Sequence, residues 1–348
     1  MKLTVTAENP LERIVLALGL APIVLMDTHM SFVRARAIMV GTKLGIFDAL
    51  VERPLTAADT ASRCHTSPTG TEKLMNALVG TGYLRFAAGR YALAPIARKW
   101  LTSDAPTSMR DKVLFEFLEW RQAEGIEDLV RTGKPIDMHH TDSDEHWRLY
   151  QRAMRSLSKF AAAEIVQRTP VPARATAMLD IGGSHGYVSA AICRKHPELR
   201  ATILDLPAAI KHAAPLLAEE GMGDRVVHRA GDALKDDLGT NQWDLVYVSQ
   251  LVHHFDQATN RELCRRVARA LKRRGVFVIV EFIRPPTPND AGQVGALLDL
   301  YFAVTSQAGT WSVEEMTNWQ RDAGLAPKKP VHLRRSPGAV EIIAVKGG

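Results

Sequence analysis

The chain has 348 residues, 46% of them hydrophobic and 24% charged, with a formal net charge of +6. That length is too great for one ordinary core and suits two domains, and the composition excludes a disordered or fibrous chain. The basic residues are scattered rather than blocked, so charge alone does not point to nucleic acid, and Cys64, Cys193 and Cys264 have neither zinc nor disulfide spacing, which leaves reduced, cytoplasmic thiols as the expectation.

Taken in chain order, the first feature is a nearly unbroken apolar run of 13 residues from Ile14 to Met26. Glu8 and Glu12 precede it where a signal peptide would be basic. No small-residue cleavage site follows, and the run is too short to span a bilayer. It reads as a buried or interface helix, bent or restarted near Pro22, whose apolar surface a second subunit could cover. Ala37, Val40, Leu44 and Phe47 then recur at helical spacing. Thr56 caps one further predicted helix, and Ser67-Pro68 opens another, which Gly80 and Gly82 break. Tyr83–Phe86 and Arg90–Leu93 predict a hairpin around Ala88-Gly89. Two short helices followed by a hairpin give the outline of a winged helix. Residues 101 to 172 look helical, up to a linker at Pro170 and Pro172.

From Ala177 the pattern changes to strands alternating with helices. Ala177–Ile181, Ala201–Asp205, Arg225–His228, Trp243–Val248 and Val276–Val280 are the predicted strands, and Ala258–Leu271 is one of the helices between them. This is the pattern of a Rossmann-like, doubly wound α/β sheet. Val331–Leu333 and Val340–Val345, flanking Ser336-Pro337-Gly338, predict a closing C-terminal antiparallel hairpin.

The first of these strands runs into Asp180-Ile181-Gly182-Gly183-Ser184-His185-Gly186. Glycines there allow a tight turn and close approach of a ligand to the backbone. The dinucleotide fingerprint needs glycine where this chain has Ser184 and Tyr187, so a pyrophosphate loop and an NAD-dependent reductase are disfavoured. Asp205 ends the second strand and Asp232 follows the third. Ligands of open parallel sheets bind at the carboxyl ends of strands. There, one carboxylate can accept from a ribose diol and the other from an adenine amino group.

His253 and His254 follow the fourth strand. Imidazole, with an ordinary pKa of about 6.5, can take a proton from a phenol. Adjacent histidines are expected to point in different directions, and no third ligand has helpful spacing, so a metal site is not expected. Glu281 ends the fifth strand, where it could hold one imidazole nitrogen and so fix the tautomer of His253.

Together these residues resemble the class I S-adenosylmethionine (SAM) methyltransferases over 177–346. The whole chain resembles the small-molecule O-methyltransferase family of plant caffeate and flavonoid enzymes and bacterial secondary-metabolism enzymes, which carry an N-terminal winged-helix dimerisation domain. The carrying motifs are Leu179-Asp180-Ile181-Gly182-Gly183 with Gly186, Leu204-Asp205-Leu206-Pro207, Gly231-Asp232, and the His253 segment. The resemblance implies SAM held by Asp180, Gly182, Gly183, Gly186, Asp205, Leu206, Asp232, Ala233 and Ser249. It implies His253 as general base and Glu281 as its partner. It further implies a small, aromatic acceptor lined by Leu298, Tyr301 and Phe302; Trp147 and Met154, one helical face apart in the middle segment, are expected to cap the ring.

Expected domains are 1–100 for dimerisation, 101–172 as a helical connector contributing to the pocket, and 173–348 for SAM binding and catalysis. The expected assembly is a cytoplasmic homodimer without nucleic-acid or membrane partners. Two departures stand out. Ser184 occupies a position usually held by glycine, and Gly309-Thr310-Trp311-Ser312 lacks the acid of the family's second glutamate segment. The second departure leaves N-, S- or C-methylation open beside O-methylation. A winged-helix DNA regulator is the other alternative, but the helix from Pro68 to Val79 carries few base-reading side chains.

Overall fold

A computed structural model describes residues 3–136, 143–284, 286–306, 308–336 and 338–348, which places Pro337 of the predicted C-terminal turn outside the described residues. Its contacts divide the chain into two compact units, Met1–Phe117 and Leu118–Gly348.

The first unit begins with α1 (Pro10–Ala17) and α2 (Ile23–Leu25), followed by a π-helical turn at Met26–Met30 and α3 (Ser31–Lys43). The apolar run is thus interrupted around Pro22, as its sequence predicts. It is not buried within the chain: Leu18, Leu20, Val24 and Leu25 are each more than half exposed. After α4 (Ile46–Ala49) come α5 (Ala57–Cys64) and α6 (Pro68–Gly80), capped by the Thr56 and Ser67 side chains. The helix α6 ends at Gly80, its first predicted breaker. Strands β1 (Leu84–Ala87) and β2 (Arg90–Leu93) pair antiparallel, and α7 (Pro95–Trp100) follows. Ile46, Phe47, Leu55, Met75, Leu78 and Tyr91 form the core of this winged-helix arrangement. The Tyr91 hydroxyl donates to Asn76 Oδ1 at 2.7 Å, so one of the few polar side chains on α6 is held against the hairpin.

The helix α8 (Arg110–Ala123) crosses the boundary between the units, and α9 (Ile126–Thr132) follows it. The second unit continues with the 25-residue α10 (Asp144–Arg168), started by the Ser143 cap. The strands are β3 (Ala177–Ile181), β4 (Arg200–Asp205), β5 (Val226–Ala230), β6 (Trp243–Ser249), β7 (Leu271–Phe282), β8 (Leu325–Pro327), β9 (Val331–His332) and β10 (Ala339–Lys346). The helices between them are α11 (Tyr187–Lys195), α12 (Pro207–Ala218), α13 (Gln257–Ala270), α14 (Pro288–Thr305) and α15 (Val313–Asp322). The sheet order is β5-β4-β3-β6-β7-β10-β8, with β9 paired to β10. The first five of those strands run parallel and β10 is antiparallel to β7. The structure departs from the periodicity at Leu271, which opens β7 rather than closing α13, and in the short β8, which was not expected.

Strand alternation builds the core on both faces. Leu179, Ile181, Val246, Val248, Phe277 and Ile279 point to the side that carries α13 and α15. Met178, Ile203, Leu245, Tyr247, Val276 and Val278 point to the other side, with Ile165 of α10 and Ile192 of α11. Such two-sided burial is why these strands read as continuous apolar runs. The chain order reverses between β3 and β6, which opens a crevice at their carboxyl ends.

Candidate active site

The glycine loop closes over the end of β3. Gly182 N–H donates to Leu204 O of β4 at 2.8 Å, and Gly231 N–H donates to Asp205 O at 2.9 Å, so all three strand ends meet at one edge. Gly182, Ser184 and Gly186 have φ of +69°, +55° and +72°. A Cβ at Gly186 would lie 2.7 Å from Ile203 and Leu217, which only glycine avoids. Ser184 accepts the left-handed backbone and is tied down by three contacts. Its hydroxyl donates to Gln151 Oε1 on α10, its N–H donates to Asp205 Oδ2 at 2.8 Å, and its carbonyl accepts from His228 Nε2 at 2.8 Å. Gln151 and His228 are residues that sequence reasoning missed; neither lies in a motif.

Asp180 is buried, and the Ser189 hydroxyl donates to its Oδ2 at 2.6 Å while Oδ1 has no hydrogen-bond partner among the described residues. Burial raises its carboxyl to about 7, against the lowering effect of Ser189. Asp205 accepts backbone N–H groups of Ser184 and Leu206, both at 2.8 Å. Burial still holds its carboxyl above the usual range. Leu206 beside it is 43% exposed. A carboxylate with remaining lone pairs, an exposed leucine and an unsatisfied buried oxygen behind the loop fit an adenosine-bearing cofactor. Asp232 is more committed locally, accepting from Leu234 N–H and Lys235 Nζ at 2.9 Å each. Burial opposes ionisation there, but those two contacts prevail and its pKa is lowered. Ala233 packs partly buried against the core, and Ser249 ends β6.

His253 lies on a single 3-10 turn, Val252–His254, after β6. Gln250, at φ +53°, bends the chain out of the strand while its N–H donates to Val280 O of β7 at 2.9 Å. Such a conformation in a non-glycine residue is a mark of functional sites. His253 and Glu281 are both buried, with Nδ1 3.0 Å from Oε1. Phe282 N–H donates to the same oxygen at 3.1 Å, and Glu281 Oε2 has no hydrogen-bond partner among the described residues. A carboxylate only accepts, so Nδ1 carries the proton and Nε2 presents its lone pair. The His254 ring lies 4.2 Å from that of His253, so the two rings pack together rather than pointing apart as their adjacency suggested. No group of three metal-ligating side chains occurs among the described residues.

Phe302 stacks on His253 at 4.3 Å between centroids, and Tyr301 meets Phe302 edge-on at 5.5 Å. Leu298 is half-buried on the same helix, whereas Val294 and Leu297 are exposed. Trp147 and Met154 lie half-buried on α10, and Trp147 packs against Tyr150 at 5.9 Å. The segment lacking the family's second acid has another role. Trp311 Nε1–H donates to Val252 O at 3.0 Å and so props the turn that carries His253. Thr310 N–H donates to Asp299 at 3.1 Å, and Glu315 is spent on Arg284 at 2.6 Å and on the Ser312 capping box.

Comparison with known proteins shows the family. The O-methyltransferase domain family matches residues 108–326, and the O-methyltransferase dimerisation domain family matches residues 26–103. The chain is 26% identical over 337 residues to 3-hydroxy-5-methyl-1-naphthoate 3-O-methyltransferase of Streptomyces sahachiroi, covering 93% of this chain and 94% of that protein. It is 25% identical to the N,N-dimethyltransferase OxyT of Streptomyces rimosus, covering 92% and 96%. In fold it is similar to human N-acetylserotonin methyltransferase solved with SAM, with a TM-score of 0.84 at 19% identity, covering 99% of this chain and 100% of that one. The chain therefore belongs to the SAM-dependent O-methyltransferase family, whose relatives act on small molecules and include an N-methyltransferase.

Proposed function

We propose that this enzyme methylates a hydroxyl of a small aromatic metabolite, with His253 as general base. The observation that carries this reading is the buried His253–Glu281 pair at 3.0 Å, placed at the carboxyl ends of β6 and β7 and walled by Phe302. Asp180, Gly182, Gly183 and Gly186 would form the loop that holds SAM, with Asp205 and Leu206 at the adenosine, Asp232 and Ala233 at the adenine edge, and Ser249 at the methionine end. When bound, SAM supplies an electrophilic methyl group on a sulfonium sulfur.

The chain's own residues do the rest. Nε2 of His253 takes the proton of the acceptor hydroxyl, a step worth typically about 10²–10⁴ in rate. Glu281 steadies the resulting imidazolium and keeps the ring from rotating. Phe302, Tyr301 and Leu298 bury the acceptor's apolar body, with Trp147 and Met154 over it. Holding the oxygen in line supplies up to roughly 7–11 kcal/mol in favourable cases. Charge is neutralised in the transfer, which a dry cleft favours. The homologous naphthoate enzyme, named for an aromatic hydroxyl acceptor, supports this choice over the N-methylation named for OxyT.

The functional unit is a homodimer built through the dimerisation domain, covering the exposed leucines of α1 and α2. Mass spectrometry of a phenol library incubated with enzyme and SAM tests the chemistry. Gain of one methyl on oxygen supports it, and methylation only of amines or carbon overturns it.

A further inference from the structure

Between Gly182 and Gly186 the cofactor loop carries side chains at Ser184 and His185, and α10 meets both. The Ser184 hydroxyl donates to Gln151 Oε1, and about two turns further along that helix Ser158 Oγ lies 3.2 Å from His185 Nε2. His185 Nδ1 accepts from Tyr187 N–H at 3.1 Å, and burial drives the ring pKa down to about 3, so the ring is neutral and its Nε2–H donates to Ser158. Ser184 is the strained member of the two. It stands at φ +55°, a conformation that Gly182 and Gly186 on either side adopt freely and that a residue with a Cβ resists. Only there does its N–H reach Asp205 Oδ2 while its carbonyl reaches His228 Nε2, both at 2.8 Å. The bond to Gln151 holds the side chain in place, and through the Ser184 N–H it fixes the Asp205 carboxylate.

Gln151 does not favour the fold by being there. It is 1% exposed, yet its Nε2 has no hydrogen-bond partner among the described residues. A buried amide with unsatisfied N–H groups is unfavourable, and an apolar side chain of the same length would avoid that cost.

We propose that Gln151 is a positioning residue for the cofactor: by accepting from Ser184 it stabilises the left-handed loop and so presents Asp205 to the cofactor's ribose. This rests on the reading of the loop and of Asp205 as the cofactor site. It also accounts for serine at a position usually held by glycine: glycine needs no brace in this conformation, and serine does.

The test titrates S-adenosylhomocysteine calorimetrically into the full-length enzyme and its variants, and measures the melting temperature of each without cofactor. Gln151→Met keeps the length of the side chain and removes both the acceptor and the unsatisfied donors. It should weaken S-adenosylhomocysteine about tenfold, as loss of one hydrogen bond does, with the melting temperature unchanged or raised. The KM for SAM should rise about tenfold, with kcat at saturating SAM within about twofold of wild type. In a Ser184→Gly background the left-handed backbone is unstrained, and the same substitution should change affinity by less than about threefold. Unchanged affinity in Gln151→Met overturns the proposal. So does an equal loss in both backgrounds, or a loss that comes with a lower melting temperature. Should Gln151→Met not fold, Ser184→Ala decides, because it deletes the hydroxyl and keeps the strain. It should bind about tenfold more weakly, and wild-type affinity overturns the proposal. Failure of the cofactor-site reading looks different: Asp205→Ala then also leaves affinity unchanged, whereas a failed brace leaves the Asp205→Ala loss in place.

Discussion

His253 Nδ1 and Glu281 Oε1 meet at 3.0 Å although 28 residues separate them, because β6 and β7 are parallel neighbours whose carboxyl ends lie side by side. Ser249 pairs with Val280 in that register, so the turn after Ser249 returns its histidine over the residue after Val280. The pair is the point on which the proposed chemistry depends.

If His253 is the base, His253→Ala should lower kcat by about 10²–10⁴ and leave SAM affinity nearly intact. The loss should shrink for acidic phenols, which ionise without help. Glu281→Gln retains an acceptor oxygen and should cost less. His254→Ala should also cost less, since the Glu281 carboxylate bonds the His253 ring. Steady-state kinetics across phenols of graded acidity reads all four, and a larger loss in His254→Ala would transfer the role to that residue.

Asp205 accepts from Ser184 and Leu206 and is the proposed ribose ligand. Asp205→Ala should weaken SAM by roughly 1.5–3 kcal/mol for each charge-assisted bond lost, while Asp205→Asn, which keeps one acceptor, should weaken it less. NAD should not bind. Calorimetry checks both statements, and unchanged SAM affinity in the alanine variant would remove the assignment.

Trp311 holds the turn that carries His253 through Val252 O, an acceptor that Asn260 Nδ2 shares at 2.9 Å. Trp311→Phe keeps the packing and deletes the donor, so kcat should fall a few-fold, in line with one hydrogen bond of about 1 kcal/mol. SAM affinity should be unchanged. A variant with wild-type kcat shows that Asn260 alone suffices.

Glu341 on β10 is buried, and the Thr169 hydroxyl donates to it at 3.0 Å. Burial raises its carboxyl to about 7. The folded protein therefore holds a proton that the unfolded chain has released between the ordinary carboxylate range and about pH 7. The sign follows: this group's contribution to stability is greatest in acid and is lost as pH rises through that window. Glu341→Gln should gain on the wild-type enzyme between pH 5 and pH 8, by about 1–3 kcal/mol. Denaturant melts at the two pH values decide it, and a constant difference refutes it.

Leu18 and Val24 lie exposed on the amino-terminal segment. Light scattering should find a dimer for the wild-type enzyme and a monomer for the Leu18→Glu/Val24→Glu double variant, because a charge in an obligate apolar interface is strongly unfavourable. A stable wild-type monomer at micromolar concentration rules out the dimer.

The sequence alone determined the parallel sheet, the cofactor loop and the histidine after the fourth strand. Each rests on local signals: apolar runs ended by glycine, carboxylates at successive strand ends, and side chains such as Thr56 and Ser67 that cap the helix beginning next to them. What only the tertiary structure decided involves residues distant in sequence. Nothing local ties Gln151 to Ser184, Trp311 to Val252, or Glu119 to Tyr301. The extension of β7 back to Leu271 depends on the pairing of Leu271 with Trp243 of β6, across an irregularity in the register, because the charged Lys272-Arg273-Arg274 stretch has no strand pattern of its own. The motif resemblance singled out His253, and the fold adds the carboxylate that β7 brings to its Nδ1.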